Sequence, residues 1–346
     1  MPQPGRKDRA VDAALIRDVV AGDFRAVARL ITLSENRPQE ARPYLEALFG
    51  HTGGAFTIGV TGAAGSGKST LVDRLAERYR ASGQRIGIVA VDPSSPYSGG
   101  AILGDRIRMQ SRSLDSGTFI RSMATRGQLG GLARATLDAS LVLDAAGFKT
   151  ILLETVGVGQ DEVEVARSAD ATLVLVVPGM GDEVQAMKAG IMEIADVFVL
   201  NKADRPGADR LAAQLEALVG LAARRDGWRP PIVRTVATED RGIDECARAI
   251  ADYRTFCAGA PASEERRGEI AEARLLALVR SRITEAIAGE ARLRAELSQL
   301  ALRVARRELD PFSAADRLMR AAGIRARSAD RRPANRAKSL GAQTRP

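Results

Sequence analysis

The sequence predicts an α/β fold in which a mainly parallel β-sheet carries helices on both faces, with helical extensions at its two ends. Three observations support this prediction. Short apolar runs of strand length recur through the middle of the chain, and helical stretches separate most of them. Helical stretches without strands lie before and after this region. The length of 346 residues suits one large domain with such extensions.

The predicted N-terminal helical extension covers residues 1–54. Residues 8–50 place apolar side chains in stripes at helical spacing, and Asp23 precedes the second stripe as a candidate N-cap. Pro38 and Pro43 punctuate a third helical stretch, which ends near Phe49. The HTGG segment that follows is typical of a linker.

Strands and helices alternate in the predicted main domain, residues 55–258. The predicted strands are Phe56–Val60, Ile86–Val91, Ile151–Leu153, Leu173–Val177, Val197–Leu200 and Ile232–Val236. The predicted helices are Ser69–Ser82, Leu129–Ala146, Glu183–Ile194 and Ala208–Arg225. Because sheets of this class bind ligands at the carboxyl ends of their strands, residues at those ends are the candidates for function.

Residues 259–320 are predicted to form a C-terminal helical arm. Small and proline residues at its start give way to a charged stretch, 263–309, with apolar residues at helical spacing. Asp310 and Pro311 end that stretch, and a short helix begins at Ser313. A helical hairpin buries little surface alone, so we expect the arm to pack on the main domain, on the N-terminal helices or on a second copy.

The net charge of +8 suggests nucleic-acid binding at first sight, but the placement of the charge argues against it. The last segment, 321–346, holds seven basic residues and one acidic residue, few large apolar residues and no helical period. We expect a disordered basic tail. The rest of the chain is close to neutral, so no nucleic-acid partner is expected.

Composition narrows the remaining possibilities. No apolar run has the length of a membrane span and no signal-peptide pattern occurs, so we expect no membrane association and no secretion. Two separated cysteines, Cys246 and Cys257, favour a reducing cytoplasm. The single histidine, His51, excludes zinc sites that need two histidines and argues against a Ser–His or Cys–His hydrolase.

The GAAGSGKST segment lies between a predicted strand and a predicted helix, which is the context of a P-loop. Its glycines let backbone N–H groups face phosphate oxygens, and the helix N-terminus adds a favourable dipole. Lys68 can reach the β- and γ-phosphates, and Ser69 can bind Mg²⁺. The sequence therefore predicts a P-loop NTPase. The candidate phosphate-binding residues are Gly62, Ala63, Ala64, Gly65, Ser66, Gly67, Lys68, Ser69 and Thr70.

Two further strand ends predict that the base is guanine. In the NKAD segment, Asp204 can accept hydrogen bonds from N1 and N2 of guanine, a donor pair that adenine lacks. The stem of Lys202 can lie on the base, and Asn201 can tie this loop to the P-loop. After the last strand, the Ala237 N–H can meet guanine O6; GTPases commonly have Ser-Ala where this chain has Val236-Ala237, followed by Thr238.

A carboxylate and a glycine follow the third predicted strand. Glu154 ends it and Gly157 comes three residues later, where GTPases usually have D-x-x-G. We expect Glu154 to hold Mg²⁺ through a water and the Gly157 N–H to bond the γ-phosphate. Val158 occupies the position of the water-orienting glutamine of Ras-like enzymes, so hydrolysis should be slow unless another group or a partner completes the site.

The loop from Asp92 to Arg108 is a candidate switch, because it is rich in Pro, Ser and Gly and leaves a strand end. Asp92 and Asp105 could orient the attacking water or a water on Mg²⁺. A turn-forming role before Pro93 is an equal alternative for Asp92 taken alone, and Arg108 could instead belong to a solvated helix face.

The segment from Pro178 to Asp196 also leaves a strand end. Asp182, Gln185 and Lys188 lie in its first turns after a flexible PGMG run. An amphipathic helix capped by Asp182 accounts for Asp182 and Glu183 through the helix dipole, but it leaves the flexible PGMG run unexplained. A mobile element that couples nucleotide state to a partner is the alternative hypothesis.

Joined together, these segments resemble the MeaB/ArgK family, the GTPases associated with methylmalonyl-CoA mutase and related B12-dependent acyl-CoA mutases. The resemblance runs from about Asp23 to Leu318. It rests on AGDFRAVARLITLSEN, the P-loop, SGGAILGDRIRM, MATRGQLGGLA, ETVGVGQDE, GDEVQAMKAGIMEIADVFVLNKAD and GIDE. It implies Mg²⁺ dependence, a dimer formed through the C-terminal helices, and a chaperone that gates adenosylcobalamin delivery and protects or reactivates the mutase. Ala63-Ala64, where proline is common, Val236 and the basic tail depart from the family pattern.

Two other functions compete with this one. A metallochaperone GTPase that inserts nickel or cobalt usually has Cys- or His-rich sites, which this chain lacks in sequence. A GTPase that acts on nucleic acid is disfavoured by the placement of charge. A pull-down from native extract distinguishes the three functions, because the captured partner would be a mutase, a metalloenzyme subunit or RNA.

Overall fold

The computed structural model describes residues 11–92, 115–124, 131–155, 169–179, 194–221, 224, 226–259 and 262–324. The chain divides into two compact units, Met1–Val279 and Arg280–Pro346. None of the helices in the described part of the chain combines the length and apolar character needed to cross a bilayer.

Seven parallel strands form one sheet in the first unit. They are β1 (Phe56–Gly62), β2 (Ile86–Asp92), β3 (Thr118–Ala124), β4 (Thr150–Glu154), β5 (Ala171–Val176), β6 (Val197–Asn201) and β7 (Ile232–Thr235). Their order is β3-β2-β4-β1-β5-β6-β7. Every neighbouring pair is parallel, so the predicted α/β class is confirmed.

One strand was not predicted. Apolar periodicity gave six strands, and the structure adds β3, which pairs with β2 at the edge of the sheet. Arg121 and Ser122 interrupt its apolar pattern, because an edge strand is covered less completely than a central one.

Helices cover both faces of the sheet. The N-terminal helices are α1 (Ala13–Val20), α2 (Phe24–Asn36) and α3 (Pro38–Leu48); α4 (Lys68–Ala81), α5 (Gly131–Ala145), α6 (Ala208–Leu221) and α7 (Ile243–Gly259) lie within the main domain. The Asp23 carboxylate accepts the Ala26 N–H at 2.8 Å, which confirms it as an N-cap. Pro38 begins α3 and Pro43 lies inside it.

Three buried clusters hold these helices on the sheet. One joins the N-terminal helices to α5 and to one sheet face, and includes Leu30, Ile31 and Phe148. A second packs α4 and α7 on the opposite face around Leu75 and Ile250. The third seats α6 on β5 and β6. The predicted N-terminal extension therefore shares a core with the sheet.

The predicted C-terminal arm consists of three helices: α8 (Ala262–Gly289), α9 (Ala291–Ala305) and α10 (Pro311–Ala321). The single stretch predicted over 263–309 is broken at Glu290, the N-cap residue of α9. Asp310 accepts the Ser313 N–H at 2.8 Å and caps α10, and Pro311 occupies the first helical position. The predicted boundaries at 54, 258 and 320 stay predictions, and the basic tail from 325 lies outside the described residues.

Candidate functional site

The P-loop connects β1 to α4 and has the geometry that its glycines require. Gly67, with φ of 95°, is the N-cap residue of α4, and no side chain caps this helix, so its first N–H groups remain available. Gly62 has φ of 145°, and a Cβ there would lie 2.5 Å from the Leu175 carbonyl oxygen on β5. The loop can therefore present backbone N–H groups to an anion.

Lys68, the first residue of α4, is buried with 6% of its surface exposed. Its Nζ donates to the carbonyl oxygens of Gly62 at 2.7 Å and Ala63 at 2.9 Å. The ammonium group thus folds over the loop. Phosphate oxygens are stronger acceptors than these neutral carbonyls, so the charge is placed to exchange partners when a nucleotide binds.

Ser69 and Glu154 are brought into direct contact across the sheet. β1 and β4 are neighbours in register, with Val60 opposite Glu154. The Ser69 hydroxyl donates to Glu154 Oε1 at 2.5 Å, and Glu154 is buried with 6% exposed. A hydroxyl oxygen backed by a buried carboxylate is a donor set that suits Mg²⁺, which keeps several waters and completes its shell with phosphates.

The other predicted Mg²⁺ residues are described only in part. Asp92 ends β2, beside β4, and its side chain lies outside the described residues. Asp105 lies outside them entirely. Within the described ranges, no group of three or more His, Cys, Asp and Glu side chains could hold a metal ion.

Asn201 links three segments of the site. It is buried at the end of β6, and its Nδ2 donates to the Ser66 carbonyl at 2.8 Å. Its Oδ1 accepts from the Thr235 hydroxyl at 3.0 Å and from the Ala237 N–H at 3.2 Å. Lys202, with φ of 56°, donates from Nζ to the Gly65 carbonyl at 2.7 Å. The NKAD loop is therefore bonded to the P-loop twice.

Thr235 was missed at the sequence level. Its hydroxyl can donate only to the oxygen of the Asn201 amide, so it orients the amide with the nitrogen toward the P-loop. A threonine at the end of a β-strand is common, and only its contact with a residue of another strand marks it. A hydroxyl directly before the Val236-Ala237 pair was the available signal.

The predicted base-binding residues follow β6 and β7, which are neighbouring strands of the sheet. Asp204 is exposed, and no hydrogen bond to its carboxylate occurs within the described ranges. Val236 and Ala237 are buried at the start of the loop after β7, and Thr238 is exposed. Ala237 donates its N–H to Asn201 at a long 3.2 Å, so guanine O6 would have to compete with that amide oxygen.

Five of the predicted site and coupling residues lie outside the described residues besides Asp105. They are Gly157, Arg108, Asp182, Gln185 and Lys188. Their roles stay predictions.

Comparison with known proteins agrees with this geometry. Residues 27–292 match the family described as methylmalonyl Co-A mutase-associated GTPase MeaB. The chain belongs to the MeaB family. A relative from Pyrococcus abyssi (strain GE5 / Orsay), named as a GTPase, is 47% identical over 309 residues, which are 88% of this chain and 95% of the relative. The methylmalonic aciduria type A homolog of Mus musculus, a mitochondrial protein, is 31% identical over 334 residues, covering 91% of this chain and 80% of the relative.

A solved structure extends the likeness to three dimensions. The crystal structure of an LAO/AO transport system kinase superposes with a TM-score of 0.68 at 26% identity, covering 92% of this chain and all of that one. This MeaB-family chain is thus a P-loop GTPase, which binds GTP and GDP and hydrolyses GTP. The family recognised from the sequence motifs is confirmed.

Not every residue of the family motifs serves the nucleotide. In the GIMEIAD segment, Asp196 is fully buried at the amino end of β6, away from the site. It accepts the Thr172 N–H at 2.8 Å and pairs with Arg224 at 2.8 Å. Trp228 donates from Nε1 to the Asp196 carbonyl at 2.8 Å. This part of the MeaB-family motif therefore holds β5, β6 and the segment before β7 together.

Proposed function

We propose that this MeaB-family GTPase is a chaperone of methylmalonyl-CoA mutase or a related B12-dependent acyl-CoA mutase. In this role it gates the loading of adenosylcobalamin and protects or reactivates the mutase in the cytoplasm. The family match over residues 27–292 carries the proposal, because the family is described by its association with that mutase. The sequence has only two cysteines, Cys246 and Cys257, which favours a reducing compartment.

The proposal assigns the nucleotide contacts as follows. Backbone N–H groups of residues 62–70 and the Lys68 ammonium hold the phosphates, with the Gly157 N–H on the γ-phosphate. Asp204 accepts from N1 and N2 of guanine, Lys202 covers the base, and the loop of Val236, Ala237 and Thr238 meets O6. The short bonds among Asn201, Ser66 and Thr235 support this assignment, because they fix the base loops relative to the P-loop.

Mg²⁺ is part of the proposal. Ser69 would bind the ion directly, and Glu154 would hold it through water, with Asp92 and Asp105 as further candidates. The contact between Ser69 and Glu154 supports the first pair. The ion would neutralise charge on the β- and γ-phosphates, and the residues of this chain would place the phosphates and the attacking water.

A homodimer through the C-terminal helices completes the proposal. Apolar side chains of these helices are exposed in each unit: Leu275, Leu276 and Val279 of α8 in the first, and Leu297, Leu302 and Phe312 in the second. Exposed apolar side chains in such number are typical of an association surface.

Two experiments with the purified mutase test the proposal. GTP turnover is measured with and without the mutase, for the wild type and for Lys188→Ala. Because Val158 stands at the position of a water-orienting glutamine, we expect slow turnover alone and faster turnover with the partner. If Lys188 couples the two proteins, its alanine variant should bind GTP normally and lose the stimulation.

The second experiment measures transfer of adenosylcobalamin to the apo-mutase with GTP, GDP or no nucleotide. The chaperone function requires a dependence on the nucleotide, and Lys68→Ala should remove it. The proposal would be contradicted if GTP turnover did not respond to the mutase and adenosylcobalamin transfer did not depend on the nucleotide. In that case, a pull-down from native extract identifies the enzyme that this GTPase serves.

A further inference from the structure

The loop that follows β7, here called the base loop (Val236–Gly242), is folded tightly. Val236 and Arg241 exchange two backbone hydrogen bonds, of 3.0 and 3.3 Å, and the Glu239 N–H bonds the Val236 carbonyl at 2.9 Å. Asp240 closes the turn in a left-handed conformation with φ of 59°, which aspartate tolerates. These bonds tie the two ends of the loop together, so a contact that holds Asp240 also constrains Ala237.

Arg78 holds Asp240 from the P-loop helix. It lies in the last turn of α4, and its Nη2 donates to Asp240 Oδ2 at 2.5 Å. Its Nε forms an ion pair at 2.8 Å with Asp244 Oδ1, in the first turn of α7. One guanidinium thus bridges the end of α4, the base loop and the start of the last helix of the main domain.

No other side chain in the described ranges bonds Asp240 in this way. Its second oxygen, Oδ1, is buried and has no hydrogen-bond partner there. The side chains of Arg78 and Asp240 are about one-third exposed, at 35% and 37%, so the pair is partly shielded from water. A hydrogen bond between a guanidinium and a carboxylate is charge-assisted and roughly twice as strong as a neutral one, so this single contact can hold Asp240.

The base loop therefore has two anchors. Asn201 bonds the Ala237 N–H at one end, and Arg78 bonds Asp240 at the other. The first anchor is the one that guanine O6 would displace in part. The second does not touch the nucleotide and stays in place. Because a hydrogen bond weakens steeply when its angle or length changes, a shift of the loop would reduce the O6 contact.

We propose that Arg78 is a positioning residue for guanine recognition, which holds the base loop at the distance from the P-loop that the purine O6 requires. The inference rests on the base-binding role of Ala237 given above. Arg78 on α4 would then contribute to the preference for purines that carry an oxygen at position 6. The N-terminus of the same helix faces the phosphates.

The test compares the binding of three nucleoside diphosphates that differ only at the base. They lack a γ-phosphate, so hydrolysis does not complicate the measurement. GDP and IDP both carry O6, whereas ADP carries an amino group there. Arg78→Met keeps the apolar stem and removes the guanidinium. We expect its Kd for GDP and for IDP to rise together, by about threefold to tenfold, with the Kd for ADP unchanged. Calorimetry or competition binding gives all three values.

Arg74→Met is the matched control. Arg74 lies one turn earlier on α4 with a similar exposure. It donates its hydrogen bond to Glu77 of its own helix at 3.0 Å, and it attracts Asp240 of the base loop electrostatically without bonding it, so its removal controls for the loss of a positive charge near that loop. It should bind all three nucleotides as the wild type does. Asp240→Asn should reproduce the effect of Arg78→Met, and the double variant should be no weaker than either single one.

Three outcomes overturn the inference. The first is that Arg78→Met binds GDP with wild-type affinity. The second is that its affinity for ADP falls as much as that for GDP, which would place the effect on the phosphate side. The third is that the losses of GDP affinity add in the double variant. Asp204→Asn in the same assay distinguishes the assignment of the guanine-binding residues from the positioning role of Arg78. If Asp204→Asn leaves GDP binding intact, the assignment of the guanine-binding residues fails. If Asp204→Asn weakens GDP binding but Arg78→Met does not, only the positioning role of Arg78 fails.

Discussion

The residues of the nucleotide site differ in whether they already form hydrogen bonds within the protein. Lys68 and Ser69 are already bonded, to loop carbonyls and to Glu154, so nucleotide binding must exchange these bonds rather than fill empty space. Asp204 differs, because its exposed carboxylate has no hydrogen bond from the described residues. The free energy of binding guanine can therefore be gained there at little cost in broken contacts.

Asp204→Asn is the residue-scale prediction. An amide offers one acceptor where guanine presents two donors, so the Kd for GTP should rise by about 100-fold or more. XTP, which carries an oxygen at position 2, should gain affinity from the new N–H donor. Binding of GTP, ATP and XTP to both forms measures this change, with Asp209→Asn, an exposed aspartate of α6, as control. Equal affinity of the wild type for ATP and GTP would refute the specificity.

At the scale of elements, β3 depends on a polar clasp before its first residue. The Arg80 guanidinium of α4 bonds both oxygens of Asp115, at 2.6 and 2.8 Å. The Gly117 N–H and the Thr118 hydroxyl donate to the same carboxylate, at 3.0 and 2.9 Å. The Ile86 N–H then bonds the Gly117 carbonyl. The clasp sets the register of the edge strand on β2.

The Arg80 bonds, and after them the Gly117 N–H, hold the pKa of Asp115 well below its usual range. A carboxyl whose pKa is lower in the folded state stabilises the fold above its unfolded pKa of about 3.9 and loses that contribution as the pH falls toward the folded pKa. Asp115→Asn should therefore lower the free energy of unfolding by about 1 kcal/mol near pH 7, a small value because the pair is partly exposed.

Urea unfolding at several pH values between 7 and 3 checks this prediction. The difference between wild type and variant should be constant above about pH 5 and shrink below about pH 4. Asp252→Asn, an exposed residue on α7, is the control and should show no difference. A difference that persists unchanged at pH 3 would show that the clasp does not depend on the ionised carboxylate.

The whole molecule combines a sheet covered on both faces with C-terminal helices whose apolar side chains remain exposed. Leu275 and Val279, four residues apart on one face of α8, are 61% and 50% exposed. We predict that the wild type sediments as a dimer at micromolar concentration and that Leu275→Glu with Val279→Glu shifts it to a monomer that still binds GDP. Leu221→Glu, at an 84% exposed position of α6, should stay dimeric. A monomeric wild type would contradict the prediction.

The sequence alone determined the chemistry at the ends of β1, β4 and β6. The P-loop, the NKAD segment and Glu154 could be recognised because each places its groups within a few consecutive residues after a buried strand, and local spacing fixes what such groups can bind. Six of the seven strands and the Asp23 cap could be predicted for the same reason. The family followed from those segments taken together.

Only the tertiary structure decided which of these ends meet. The strand order places β1 beside β4 and so joins Ser69 to Glu154, 85 residues apart, and it seats β3, whose pattern is broken, at the edge. The contact of Thr235 with Asn201 and that of Arg78 with Asp240, 162 residues apart, depend on the same order. Period-two and helical patterns report which face of an element is buried but not which element covers it, so contacts across the sheet required the fold itself.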